Sequence, residues 1–498
     1  MMRAPDTGPV HVEVPRIPRD PDGRIDVARL RALLQPADVL ESAPGTGWTY
    51  LVPDLGRHGH PDRLRMVDDG RSTRVHHADG AVEDLGTDPF RAIDALAHRL
   101  GIGPGPGPAS GAPAFGGGLV GAFAYDLAHR SVGLPAPVAD GHDRPSLALR
   151  LVGLVVAVDP GRERAHLVLH PGLLTGDAAI ARRTMLERLA WAEASAGPLA
   201  PERRVRPGPA RTSLPPAQHR AAIASILEHI AAGDCYQVNL TQRLSGSWPG
   251  DVLALADALI AASPASHAAL LPGLGIASIS PETFLEVDGR TVRTRPIKGT
   301  RPRSTDAELD AALADDLATS AKDRAENVMI VDLERNDLGR VCRPGSVHVE
   351  ELARLEAHPT VWHLASTVRG ELRPDVGWGG LLAATFPSGS ITGAPKRAAM
   401  RLIDRLEPVP RGWYCGALGF LAPGAARLSV AIRTATLHPD GTVEYGAGGG
   451  IVADSDPDAE VAESLDKAAA FLRVLGATHV ATDTADAAGR RPRTTVPG

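Results

Sequence analysis

The sequence predicts a fold of mixed helices and strands, and three observations carry that prediction. Short apolar or alternating runs at 49–52, 146–158 and 236–244 have strand character. Ala222, Ile223, Ile226, Leu227 and Ile230 recur at helical spacing after a helix start at Ser213, Pro215 and Pro216. Asp440-Gly441 stands between strand-like runs near 428–437 and 443–445, as a hairpin turn requires. The chain has 498 residues, 43% hydrophobic and 22% charged, which excludes a wholly disordered chain and leaves ample material for a core.

In order along the chain, residues 1–12 read as a loose arm. The 146–158 run is apolar for long enough to be a buried strand. Residues 101–118, GIGPGPGPASGAPAFGGG, are too rich in Gly and Pro for a helix or strand and read as a mobile loop. Residues 197–216 carry six prolines and are the best linker candidate. Gly233-Asp234 closes the helix that follows, 305–338 is helical in character, and a last helix spans 458–475. The chain thus divides into an N-terminal half, 1–200, a region 213–476, and a tail, 477–498, expected to be disordered.

Net charge is −6, so nothing argues for nucleic acid or an anionic membrane as a partner. The longest apolar run, 151–158, falls far short of the ~20 residues of a membrane helix. The N-terminus lacks the apolar core of a signal peptide, and a cytoplasmic protein is expected. Cys235, Cys342 and Cys415 are far apart, which fits reduced thiols. Of the 53 basic residues only Lys298, Lys322, Lys396 and Lys467 are lysines. Lysine persists where a compact ammonium or a neutral amine is needed, or it has merely drifted at the surface.

Five constellations could carry chemistry. Asp323 and Glu326 are three apart and share a helix face, as do Glu460, Glu463 and Lys467. If the two helices approach, two glutamates could hold Mg²⁺ and leave sites for water and a carboxylate substrate; two solvated faces with ion pairs are the alternative. TFPSGSITGAPKRAAM, 385–400, runs a Gly/Ser/Thr loop into Pro395. It could offer free amides to a carboxylate or phosphate, or be an ordinary capped helix. YGAGGGIV, 445–452, could let a ligand approach the backbone, or be a tight turn. In RTRPIKGTRPR, 293–303, burial or a neighbouring cation would free Lys298 as a neutral nucleophile; a surface lysine in a Pro-rich loop is the alternative.

Together GDCYQVNLTQR, SISPETFLEV, RPIKGTRPR, AENVMIVDLERNDLGRV, TVWHLAS, FPSGSITGAPK, YCGALGF, SVAIRTA, GAGGGIVADSDP and the closing Glu-Ser-Leu-Asp-Lys-Ala resemble the chorismate-utilising enzymes. The family includes component I of the anthranilate and aminodeoxychorismate synthases, and the isochorismate and salicylate synthases. The resemblance is densest over 213–475, the chorismate-binding catalytic region. FGGGLVGAFAYDLA, 115–128, carries a weaker echo into an N-terminal half that resembles that of anthranilate synthase component I.

The resemblance implies an α+β fold: a four-layer α/β/β/α sandwich with two large, mainly antiparallel sheets, shared by both halves of the chain. It implies that Glu326 and Glu463 ligate Mg²⁺, with Asp323 and Glu460 behind them. Asp323 stands where Glu is common, so its reach is shorter and a bridging water is expected. Ser390, Tyr414, Arg433, Gly448, Gly450 and Lys467 would hold the substrate carboxylates, and His363 would lie near the ring.

Two positions choose within the family. Gln237 aligns with the lysine base of the isochorismate-forming enzymes; an amide cannot deprotonate water, which favours ammonia as nucleophile. At Lys298 the chain reads PIKGT, like the aminodeoxychorismate synthases, where anthranilate synthases resemble PIAGT. The implied mechanism has Glu282 as acid on the departing 4-hydroxyl, Lys298 attacking C2 of chorismate, and ammonia then adding at C4 and expelling the lysine from C2. The product feeds p-aminobenzoate and folate synthesis. No amidotransferase elements appear in the sequence, so ammonia is expected from a separate glutamine amidotransferase subunit, and the three cysteines are read as packing residues. The alternatives are anthranilate synthase component I and a non-catalytic chorismate-binding subunit. Leu40-Glu41-Ser42 resembles part of the tryptophan site of feedback-inhibited anthranilate synthases. ASPASHAALL stands where the partnering motif would be, so a structural remnant is expected.

Overall fold

The computed structural model describes residues 9–34, 38–42, 47–53, 64–135, 144–174, 177–195, 209–358, 361–477 and 480–482. Two large sheets dominate these residues. The first, of 13 strands, runs in the order Val10–Glu13, Ala165–Leu169, Leu154–Val158, Thr49–Val52, Asp38–Glu41, His267–Leu271, Ile276–Ser280, Thr434–Leu437, Thr442–Ile451, Gln237–Ser247, Ala210–Thr212, Val480–Thr482, with Gly393–Ala394 beside Gln237–Ser247. The second, of 12 strands, runs Ile297–Pro302, Val361–Glu371, Thr291–Arg295, Thr283–Asp288, Ala425–Val430, Ala417–Ala422, Gly118–Phe123, Leu147–Val152, Leu64–Asp68, Thr73–His77, Val82–Asp84, with His348–Ala357 beside Val361–Glu371. The one parallel pair among them is Ala210–Thr212 with Val480–Thr482.

The layers follow from which residues each face buries. Tyr50 and Val52 point into a core with Val155, Ala157, Val120, Phe420 and Ala422, between the sheets. Leu51, Leu154, Val156 and Val158 point the other way, against the helices Val27–Leu34 and Ala178–Ala194. Strand side chains alternate sides, so a run covered on both faces is apolar throughout. The outer face of the second sheet is covered by Pro89–Leu100, Ala321–Gly339 and Trp378–Thr385. The result is the expected four-layer α+β sandwich. Between the sheets, Phe115 stacks on Phe420 at 4.4 Å, with Tyr50 edge-on to both.

Both sheets cross the middle of the sequence. Val39–Glu41 pairs with Ala268–Leu270, and Leu119–Phe123 with Ala417–Leu421.

Several expectations are corrected. The 146–158 run is two strands, not one, and they lie in different sheets. Gly153 turns the chain between them; a Cβ there would fall 2.6 Å from the Leu174 nitrogen. Likewise 428–437 is split: Leu428 belongs to Ala425–Val430 in one sheet, and Thr434–Leu437 to the other. The 305–338 segment is two helices, Ala307–Thr319 and Ala321–Gly339, meeting at Ser320, whose side chain accepts from the Asp323 N–H. The last helix is broken at Ala468. Val10–Glu13 of the supposed loose arm is a strand, and so is Ala210–Thr212 of the supposed linker. The 101–118 loop has no helix or strand before Gly118, yet the Gly424 N–H donates to Gly103 O and Phe115 is fully buried. Of the tail expected to be disordered, Val480–Thr482 is a strand, and 483–498 lies outside the described residues. No helix among the described residues is long and apolar enough to cross a membrane.

Candidate active site

The two acidic helices meet. Ala321–Gly339 starts on the Ser320 cap and brings Asp323 and Glu326 forward; Pro457–Lys467 starts on Asp456 and brings Glu460, Glu463 and Lys467. Lys322 Nζ lies 3.6 Å from Glu460 Oε1, which also accepts from Ser455 Oγ at 2.6 Å. Lys467 Nζ is 2.7 Å from Glu463 Oε1, an i,i+4 pair, and donates to Gly448 O at 2.9 Å. Glu460 is buried, whereas the side chains of Glu463 and Lys322 are 53% and 45% exposed, so the picture of two solvated faces fails at Glu460 and holds at its neighbours. Burial raises the Glu326 carboxyl, Asp323 and Glu460 add to that, and Lys298 and Lys322 oppose it. Burial also works to raise Glu463, but Lys467 outweighs it and the carboxyl sits below its usual range. The shorter Asp323 accepts from Arg301 Nη2 at 3.2 Å.

Among the described residues no three acidic, histidine or cysteine groups stand close enough to enclose a cation by themselves. The donors here are hard carboxylate oxygens of like charge, within electrostatic reach of Lys298 and Lys322. That fits Mg²⁺, which is usually held by one or two carboxylates with water and ligand oxygens completing the shell.

The glycine-rich stretch is no turn. It is the interior of the strand Thr442–Ile451, paired along its length with Gln237–Ser247. A Cβ on Gly449 would lie 3.2 Å from Glu460 Oε2 and 3.4 Å from Lys467 Nζ, and one on Gly450 would lie 2.5 Å from Gln237 Nε2. The missing side chains make room for the charged groups and for Gln237. Gln237 is fully buried, and neither its Oε1 nor its Nε2 has a partner. Such unmade hydrogen bonds are rare in folded proteins and mark a place for a ligand or water.

Lys298 lies on the edge strand Ile297–Pro302 and donates to Ser390 O at 3.0 Å. Burial lowers its pKa, against the pull of Glu326 and Glu282. Glu282 is buried, with Oε1 unpartnered. Burial pushes it up to about 7, although the Ser390 side chain and Lys298 favour its charged form. A carboxyl of raised pKa and an amine of lowered pKa are therefore within electrostatic reach of each other.

His363 lies on Val361–Glu371 opposite Thr300. Burial, with His358 and Arg433 nearby, pushes it down to about 3, so it is neutral, and its Nδ1 is unpartnered. Arg433 is within electrostatic reach of His363 and Tyr445. Tyr414 opens instead onto a small cavity that it lines with Arg144, Thr241, Glu407, Arg411 and Glu444. That cavity takes in none of the other expected site residues.

The 385–400 loop already holds a carboxyl of the protein's own. Glu334 Oε1 accepts from the Gly389 N–H at 2.9 Å and from Ser388 Oγ at 3.1 Å. Lys396 binds Asp337 at 2.5 Å and the Thr385 and Pro387 carbonyls. All four lysines thus have partners around these loops and helices. Glu334 and Ser388 escaped the sequence reading: in VDLERNDL, Glu334 looks like one more charge on a solvated face. The three cysteines are free and buried. Glu41 is clamped by Arg31 and Arg162 within the first sheet.

The model of the chorismate-binding enzymes matches residues 64–473. Aminodeoxychorismate synthase component 1 of Klebsiella aerogenes is 38% identical over 416 residues, covering 83% of this chain and 88% of that one. Anthranilate synthase component 1 of Streptomyces coelicolor is 40% identical over 418 residues, covering 81% of each. In structure, anthranilate synthase component I from Streptococcus pneumoniae superposes with a TM-score of 0.71 at 28% identity, over 86% of this chain and 92% of that one. The menaquinone-specific isochorismate synthase from Escherichia coli, with a TM-score of 0.66 at 20% identity over 94% and 95% of the two chains, shares the fold. With a match spanning most of its length, the chain belongs to the family of chorismate-binding enzymes.

Proposed function

We propose that the chain is component I of an aminodeoxychorismate synthase, converting chorismate and ammonia to 4-amino-4-deoxychorismate. The observation that carries this reading is Lys298, an amine whose basicity burial lowers, within electrostatic reach of Glu282, a buried carboxyl pushed up to about 7. Glu282 gives its proton to the 4-hydroxyl, which leaves as water. The Lys298 lone pair bonds to C2 as the ring double bond shifts toward C4, and the amine gives up a proton. Ammonia then adds at C4, the double bond returns, and lysine leaves with its electron pair and regains a proton. One hard displacement becomes two easier ones.

Glu326 and Glu463 would hold Mg²⁺, with Asp323 and Glu460 behind them, and the ion would supply positive charge to a substrate carboxylate. Ser390, Arg433, Lys467 and the amides at Gly448 and Gly450 orient the substrate, with neutral His363 beside the ring, while Tyr414 faces the other cavity. The Gln237 amide cannot deprotonate water, which leaves ammonia as the nucleophile. A separate glutamine amidotransferase supplies it, as the component 1 names of the relatives suggest. Synthesis in the cytoplasm for p-aminobenzoate and folate fits this reading.

Anthranilate synthase component I is the second reading, favoured by the 40% identity to the Streptomyces coelicolor protein. There ammonia would add at C2 directly and Lys298 would form no bond. Intact mass measurement after chorismate is added without ammonia separates the two. The covalent reading expects Lys298 to carry chorismate less one water, and Lys298→Ala to carry nothing. An unmodified chain that still turns over with ammonia defeats it.

A further inference from the structure

Behind Glu282 a line of buried polar groups runs into the protein. The Ser390 side chain is close enough to the Glu282 carboxyl to favour its charged form. Ser390 Oγ is 3.0 Å from Ser388 Oγ, which is 3.1 Å from Glu334 Oε1. All four residues are buried, and Glu334 Oε2 has no partner. Two hydroxyls, each with one proton to place, thus stand between two carboxyl groups, bonded to each other and to Glu334 and facing Glu282. If Ser388 donates to Glu334, then Ser390 donates to Ser388 and accepts from a protonated Glu282. If Glu334 is protonated, every donor reverses and Glu282 is the carboxylate. The two arrangements differ by the position of one proton.

We propose that Glu334 is the proton store for Glu282, and that Ser388 and Ser390 carry the proton between them. This rests on the reading of Glu282 as the acid of the proposed reaction. After Glu282 has given its proton to the departing hydroxyl, Glu334 passes one to Ser388, Ser388 passes its own to Ser390, and Ser390 passes its own to Glu282. Both serines end neutral and Glu334 ends as the carboxylate. The proton released as ammonia becomes the product's amine refills Glu334 by the reverse path, so the cycle balances inside a closed site.

The surroundings suit the exchange. Burial pushes both carboxyls up to about 7, so each holds a proton more readily than a surface carboxyl does. Asp337 raises Glu334, and Lys396 and the Gly389 N–H oppose it. Around Glu282, Lys298 and Ser390 oppose burial, Glu334 reinforces it, the Ile297 amide also favours charge, and Cys415 is near. Glu334 and Ser388 act through Glu282 and are positioning residues.

The test uses the full chain with chorismate, Mg²⁺ and a fixed concentration of free ammonia. Ser388→Ala keeps Glu334 and its Gly389 bond but breaks the line. It is expected to lower kcat by about tenfold or more, with KM for chorismate within about twofold. Glu334→Gln removes a like charge from beside Glu282, so the alkaline limb of the pH–kcat profile moves down by about one pH unit. If both variants keep the parent's kcat and limb while Glu282→Gln abolishes that limb, the relay is overturned and the acid stands. If Glu282→Gln keeps the limb, the acid reading itself has failed. Should Glu334→Gln not fold, infrared spectra decide. A neutral-acid carbonyl band near neutral pH that shifts in Ser388→Ala supports the relay, and spectra unchanged by that substitution overturn it.

Discussion

Lys298 and Glu282 show how far a single residue's chemistry could be anticipated. The family resemblance of the PIKGT and SPE stretches marked both residues, and the scarcity of lysine in this chain also pointed to Lys298. What they could not show is the burial that makes one a weaker base and the other a stronger proton holder. In the active form Glu282 is protonated and Lys298 neutral. At fixed free ammonia, kcat/KM rises as Lys298 loses its proton and falls as pH passes about 7 and Glu282 loses its own. A bell-shaped profile whose descending limb vanishes in Glu282→Gln is expected; a wild-type profile with no descending limb contradicts the assignment. Lys298→Ala should lose product formation by about a thousandfold or more. Glu334 was illegible for the opposite reason. Its helix position is ordinary, and only the 385–400 loop folding over it turns a surface-like charge into a buried one.

At the scale of elements, periodicity located strands and helices well and sheet membership poorly. Leu147–Val152 and Leu154–Val158 read as one apolar run because both are covered by other layers. Only the backbone crowding at Gly153 reveals that the chain changes sheet there. In Thr442–Ile451 the glycines work against strand propensity, and the strand exists because Gln237–Ser247 pairs along its whole length. Gly449→Ala should crowd Glu460 and Lys467, raise KM for chorismate and blunt the response to Mg²⁺, measured by titrating each. The same strand carries Glu444, buried against Arg144, Arg243 and His438. Burial works to raise that carboxyl, but His438 and the arginines outweigh it and hold it well below its usual range. Its stabilisation is therefore present above the unfolded carboxyl's pKa of 4.5 and is lost as pH falls below it. Glu444→Gln should cost about 3 kcal/mol at neutral pH, read by urea unfolding, with the gap to the parent closing in acid.

Across the whole molecule, the two halves of the sequence are one pair of sheets. The layered architecture was legible through the family resemblance and not through pattern alone, because strand order depends on pairings such as Leu119–Phe123 with Ala417–Leu421, some 300 residues apart. Residues 213–476 expressed alone would bare the edges of His267–Leu271 and Ala417–Ala422. Such a fragment should be insoluble or lack near-UV circular dichroism, whereas the full chain unfolds in one transition by near- and far-UV signals. A soluble, fully active fragment would contradict that shared architecture. The most direct test of the function is the product made by the full chain from chorismate, Mg²⁺ and an ammonium salt at mildly alkaline pH, identified by chromatography and mass. The expected product is 4-amino-4-deoxychorismate, which an aminodeoxychorismate lyase converts to p-aminobenzoate; fluorescent anthranilate with an equivalent of pyruvate would contradict the assignment.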